Sequence, residues 1–202
     1  MKRPQIEGRM VPLDRDAVDT DTIMPQEFLT RTEREGFGEA VFHHWRTSGQ
    51  IDLDDPVRLG ARILVASRNF GTGSSREHAV WGLKQWGFEA VIAVEFGDIF
   101  ARNCLLNGIA AVTISEEECR WLRYLTESDP GATMIIDLEA QRIAAGARTI
   151  EFSLPPIARL MLINGLDEIG LTEGLESAIL RHEADRPDWM PRMLSPQSRE
   201  SV

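Results

Sequence analysis

Cysteine is scarce in this chain: there are two among 202 residues, Cys104 and Cys119, well separated and outside any CxxC spacing. Two thiolates are too few for a zinc or iron–sulfur site within the chain. Both are expected as buried, inert thiols, and any metal must come from elsewhere. Lysine is nearly absent: of 22 basic residues only Lys2 and Lys84 are lysines. No apolar run approaches the roughly 20 residues that span a bilayer. Met1-Lys2-Arg3-Pro4-Gln5-Ile6-Glu7 lacks the apolar core of a signal peptide, which predicts a cytoplasmic protein that engages no membrane. The formal net charge of −10 argues against a broad nucleic-acid surface, because phosphate binding draws on clustered basic residues.

What remains is the composition of an ordinary globular protein, 43% hydrophobic and 27% charged, long enough for one well-buried core. The basic residues are almost all arginine. A guanidinium pairs with carboxylates bidentately and keeps its charge when buried, so the bias is compatible with carboxylate recognition; a high-GC genome produces the same bias.

Arg9 to Leu13 reads as a short strand, followed by a polar loop from Asp14 to Thr22 dense in Asp and Thr. Pro25 opens an expected helix from Gln26 to Arg34, ended by Gly36. A second short helix is expected over 37–46, then loop over 48–60. The architecture is clearest after that. Strands are predicted at 61–66, 90–94 and 109–114, alternating with helices at 76–86 and 98–106. Ser115 and Glu118 form a capping box for a helix reaching about Thr126. This alternation implies βαβ units and a parallel sheet. Strands at 133–138, 141–145 and 149–154 lie too close together for crossovers and read as an antiparallel meander. Pro155-Pro156 starts a helix to Ile163, and a last helix is expected over 172–183. The domain is expected to span 1–184, with a mobile tail over 185–202.

One segment demands chemistry: the junction Phe70-Gly71-Thr72-Gly73-Ser74-Ser75-Arg76-Glu77-His78 between a strand and a helix. Glycines let backbone approach a ligand, and a helix start offers unpaired N–H groups with partial positive charge, a ready anion site. Ser74 and Ser75 are expected at the cap and Arg76 in the first turn. An arginine there opposes the helix dipole, which suggests that it serves something other than helix stability. The segment lacks the lysine of a P-loop, the third glycine of a dinucleotide fingerprint and the second glycine of a nucleophile elbow. A plain capped helix start with an Arg–Glu surface pair is the alternative.

The junction from Phe70 to Ala79 resembles the signature of the aconitase swivelling domain. Val11-Pro12-Leu13 followed by Val18-Asp19-Thr20-Asp21-Thr22-Ile23-Met24-Pro25 is similar to the opening of the isopropylmalate dehydratase small subunits. Gly36-Phe37-Gly38, Trp45-Arg46, Asp98-Ile99-Phe100, Asn103 and Asn164-Gly165-Leu166-Asp167-Glu168-Ile169-Gly170-Leu171-Thr172 follow in order, so the likeness covers about residues 9 to 182. The resemblance implies an α/β fold of the swivelling β/β/α kind, a mixed sheet with flanking helices. It implies a hydro-lyase that isomerises 2- and 3-isopropylmalate by dehydration and rehydration in leucine biosynthesis, active only with a large subunit. That partner carries a [4Fe–4S] cluster, and this chain binds no metal. By the same resemblance Ser74 is the base that removes a proton alpha to a carboxylate. Arg76 binds a carboxylate of the small dicarboxylate substrate, and Asp21 is an active-site acid. Gly73, Ser75 and Gln26 join Arg76 in substrate binding, while Glu77 and His78 support the site.

The chain departs from the family pattern in places. Thr72 and Val80 replace a common cysteine and proline, as packing changes. Gln26 and Glu35 change the charge where the family approaches the substrate's variable group, so another substituted malate, of dimethylmalate or citramalate type, is the alternative substrate. Two rival readings use the same helix start: a non-catalytic phosphate or nucleotide module, and an RNA-binding regulator, which the net charge opposes. His43-His44 is expected as a surface pair, and Trp45 and Trp81 as anchors for a partner.

Overall fold

In the computed structural model, which describes residues 2–30, 35–173 and 176–186, the chain divides into two compact units, Met1–Asp167 and Glu168–Val202. The strands of the first unit are β1 (Gln5–Pro12), β2 (Ile63–Val65), β3 (Ala90–Ala93), β4 (Ala110–Thr113), β5 (Thr133–Asp137), β6 (Arg142–Ala145) and β7 (Arg148–Glu151). They form one sheet in the order β4-β3-β2-β1-β5-β6-β7. Its parallel half, β4 to β1, meets its antiparallel half, β5 to β7, at β1: Val11 pairs Leu64 in parallel, and Glu7 pairs Ile135 antiparallel. The mixed sheet, βαβ units and meander match the expectation from sequence.

The helices of this unit are α1 (Thr20–Ile23), α2 (His43–Thr47), α3 (Glu77–Trp86), α4 (Asp98–Leu106), α5 (Glu116–Ser128) and α6 (Pro156–Asn164). Successive strand residues point to opposite faces, and the central strands use both. Val11, Leu64 and Val91 enter one core with Leu83 of α3 and Phe100 and Cys104 of α4. Met10, Ile63 and Ile92 enter the other with Cys119 and Leu122 of α5 and Met134, Ile136 and Ile143 of the meander. Burying both faces makes β2 and β3 fully buried along their length, as parallel strands covered by crossover helices must be. The expected capping box is present: the Ser115 hydroxyl accepts from the Glu118 N–H at 3.2 Å, and Glu118 Oε2 accepts from the Ser115 N–H at 3.0 Å. The second unit contains α7 (Glu168–Glu173) and α8 (Glu176–Ala184).

Some expectations are corrected. The first strand begins at Gln5, because β5 pairs with its first half. The loop over 14–22 ends in α1, which Asp19 caps by accepting from the Thr22 N–H at 2.6 Å. The helix expected over 26–34 is a 3-10 turn, Gln26–Phe28, and 31–34 lie outside the described residues. Phe28 and Leu29 both pack on the core from this short turn. The helix expected over 37–46 is broken at Phe42, whose φ is +49° and whose N–H donates to Ile23 O at 2.9 Å rather than within a helix. The last helix is two, α7 and α8, with 174–175 between them outside the described residues, as is 187–202 of the expected tail.

Candidate active site

The site lies beyond the carboxyl ends of the parallel strands, where open α/β sheets place their ligands. The chains leaving β1 and β2 continue side by side as a ribbon. Leu13 N donates to Val65 O at 2.8 Å, Ala17 N to Arg68 O at 2.8 Å, Gly71 N to Val18 O at 2.7 Å and Thr20 N to Thr72 O at 2.9 Å. The base of the ribbon is tied by side chains. Asp16 accepts from the Ser67 hydroxyl at 2.5 Å and the Arg68 N–H at 3.1 Å, and these bonds hold its carboxyl below the ordinary value. Arg123 of α5, buried, donates to Ala66 O at 2.9 Å and pairs with Asp14 at 2.8 Å. At the tip the buried Thr20 donates its hydroxyl to Ser74 O at 2.9 Å, so the Asp-Thr-Asp segment directly holds the backbone of Ser74.

Glycine is required behind this loop. Gly71 has φ +75° and lies so close to Phe100 that a Cβ would sit 2.5 Å from Phe100 Cδ1; at Gly97 a Cβ would meet Gly71 O at 2.5 Å. The root of α4 is thereby seated on the glycine loop. Arg76 is the N-cap of α3, extended at φ −116° and ψ 102°, and does not lie in the first turn as expected; neither serine caps the helix. Gly97 caps α4, also without a side-chain bond. Two helix starts therefore keep uncapped N–H groups, with their partial positive charge, at one place.

That place is a cleft of about 270 Å³ lined by Thr20, Gly73, Ser74, Ser75, Arg76 and Asn103, together with the first turn of α4. Ser74 and Ser75 are exposed, and Arg76 is mostly buried. Arg76 Nη1 pairs with Asp21 Oδ1. The structure thus brings Gly73, Ser74, Ser75 and Arg76 together and joins Asp21 to them through the ion pair. Gln26 lies apart from Ser74, in a neighbouring hollow of about 400 Å³ that it shares with Asp21, Pro25, His44 and Trp45.

The residues flanking the signature have structural partners. Glu77 accepts from Asn107 Nδ2 at 3.0 Å, and the His78 ring packs on Trp81 and Phe37 at 4.7 and 5.3 Å. His43 packs edge-on against Phe28, and His44 stands 3.8 Å from Glu27. Cys104 and Cys119 face opposite cores. Burial pushes the Cys104 thiol above the ordinary range and that of Cys119 up to about 12. An iron–sulfur cluster is held by several convergent thiolates, and these two, in different cores, do not converge. Among the described residues no three His, Cys, Asp or Glu gather as a metal-ligand set, and no helix is long and apolar enough to cross a membrane. Sequence reasoning gave Thr20 and Asn103 no role of their own. The signal for Asn103 was its place three residues beyond Phe100, on the helix face that seats the glycine loop.

Residues 2–117 match the aconitase C-terminal domain family. The 3-isopropylmalate dehydratase small subunit of Rubrobacter xylanophilus is 44% identical over 94% of this chain and 97% of its own length. That of Streptomyces griseus is 46% identical over 93% and 95%. The crystal structure of 3-isopropylmalate dehydratase from Methanocaldococcus jannaschii superposes with a TM-score of 0.64 at 27% identity, covering 89% of this chain and 99% of that one. The chain belongs to the aconitase C-terminal domain family, in its branch of 3-isopropylmalate dehydratase small subunits.

Proposed function

We propose that this chain is the small subunit of a hydro-lyase that interconverts 2- and 3-isopropylmalate in the cytoplasm, working with a large subunit that carries a [4Fe–4S] cluster. The observation that carries the reading is the placement of Ser74 beside Arg76 and two uncapped helix starts in one open cleft. A substrate carboxylate is held by the Arg76 fork and the Ser75 hydroxyl. Ser74, as its alkoxide, takes the proton alpha to that carboxylate; the N-terminus of α3 and the Arg76 charge stabilise the anion. Asp21 fixes the guanidinium in position. The proton returns to the neighbouring carbon when water adds back the other way. Departure of the hydroxyl is a Lewis-acid task that the cluster of the large subunit would supply.

Gln26, in the neighbouring hollow, favours a second reading in which the substituent on the malate differs. Both are tested by co-expressing the chain anaerobically with its large subunit and following unsaturated-acid absorbance with isopropylmalate, dimethylmalate and citramalate. Activity in the pair alone, lost in Ser74→Ala, is the expected result. A stable, cluster-loaded pair that turns over none of the three would sink the catalytic reading in favour of a binding module.

A further inference from the structure

We propose that Asn103 is a substrate-binding residue, its side-chain Nδ2 donating to the carboxylate that Arg76 clamps; the inference rests on the hydro-lyase reading above. Asn103 lines the cleft with Ser74, Ser75 and Arg76 and is half-buried. Its backbone carbonyl is occupied by Asn107, but its side-chain amide bonds to no described residue. The amide therefore meets only the water of the open cleft, which a ligand carboxylate can replace.

Its position is built, not incidental. Close packing of Phe100 on Gly71, and of Gly97 on Gly71 O, fixes the start of α4 against the glycine loop. Asn107, one turn beyond Asn103, donates both to Asn103 O at 2.9 Å and to Glu77 at 3.0 Å, tying α4 to the first turn of α3. Asn103 is thus held rigidly beside the residue that follows Arg76. The cleft needs such a donor. Arg76 is its one cation among the described residues, and Asp21 already takes part of that charge. Asp98, also on the cleft wall, adds negative charge. An uncharged amide can strengthen carboxylate binding there without requiring a counter-ion, and it selects a carboxylate oxygen by direction.

The test compares Asn103→Ala and Asn103→Asp in the cluster-loaded pair, with 3-isopropylmalate as substrate. Loss of a donor to a charged acceptor raises KM about tenfold or more with kcat little changed, the pattern of lost binding. Asn103→Asp keeps the shape but replaces the donor with a like charge, so its KM rises further than that of Asn103→Ala. A purely structural role predicts the opposite order and a lowered melting temperature, and that result overturns the inference. So does a KM within twofold of wild type in both variants. A wild-type pair that turns over no malate refutes the parent reading itself, and the inference falls with it.

Discussion

Replacing Gly71 by alanine attacks the site from behind, and its cost can be worked from the structure. At φ +75° an L-residue pays about 1–2 kcal/mol for the left-handed region. The added methyl would stand 2.5 Å from Phe100 Cδ1 and 2.7 Å from Phe100 Cβ. Phe100 is buried between Phe70 and Phe96, with ring centroids 5.4 and 6.4 Å away, so it has little room to yield. Overpacking of this kind costs about 1–3 kcal/mol. The sum, about 2–5 kcal/mol, is a large share of a typical domain's stability. For a chain of this size it lowers the melting temperature by about 4–20 °C. Thermal melting followed by tryptophan fluorescence reads the loss directly. A double variant with Phe100→Ala isolates the ring's share, because it removes the ring contacts and keeps the backbone penalty and the 2.7 Å approach to the Cβ of residue 100. Phe100→Ala alone costs about 3–5 kcal/mol as a cavity, and the double variant should retain about 1–3 kcal/mol more stability than the two single losses predict. Strict additivity would refute the steric argument. A Gly71→Ala chain melting within about 1 °C of wild type would refute both parts.

Other outcomes follow from single contacts. Arg76→Lys, which exchanges the planar fork for a point charge, should lower kcat/KM of the pair about tenfold or more while the melting temperature barely moves. Hydrogen bonds from Ser67 and the Arg68 N–H hold the Asp16 carboxyl below its ordinary 3.8. Its ionised form therefore stabilises the fold above the unfolded value, and that contribution disappears as pH falls through the lowered folded value. The stability deficit of Asp16→Asn, measured by denaturant titration, should be present at pH 7 and close as pH drops below about 3.8; a deficit that grew on acidification would reverse the sign. Cys104 and Cys119, buried with raised thiol values, should resist a maleimide at pH 8 in the folded chain and react once it is unfolded. Ser115→Ala should cost about 1 kcal/mol through loss of the α5 cap, read as a lower urea midpoint at unchanged slope.

The sheet was legible where the chemistry is local. Apolar runs bounded by Gly87, Gly108 and the Ser115 cap marked β3, β4 and the helices between them, because helix stops and caps are written in two or three residues. The segments 26–30 and 35–46 were not legible. Their conformation is set by distant partners: Phe42 N–H goes to Ile23 O, and Phe37 N–H goes to Gln85 Oε1 at 2.8 Å. No window of the sequence contains both ends of those bonds. The glycine–serine–arginine junction stood out as a candidate anion site from its residue types, yet the N-cap position of Arg76 and the Asp21 pair were not legible, since both depend on the β1–β2 ribbon. Asp21 came from family resemblance; the physical link that brings it to Arg76 is the Thr20 contact to Ser74, which spacing alone does not reveal.

The charge balance of the cleft argues that the site is half of a larger one. The chain carries a net charge of −10, and its twenty arginines leave one, Arg76, in the cleft wall among the described residues, already paired with Asp21. A malate-type substrate brings two carboxylates. On the proposed reading this chain would meet them chiefly with neutral donors of the cleft: hydroxyls of Ser74 and Ser75, the Asn103 amide, and N–H groups at the starts of α3 and α4. Such donors orient an anion well but neutralise little of its charge, and the cleft is open to water, which screens what attraction there is. One end of the substrate can be oriented here; compensation of the second carboxylate and exclusion of water require a positively charged surface closing over the exposed serines. On this reasoning the isolated chain binds isopropylmalate weakly, with affinity falling further as salt is raised. The assembled pair binds it far more tightly and with less dependence on salt. Calorimetric titration of chain and pair at two salt concentrations measures the contrast, and equal affinity in both would refute the half-site argument.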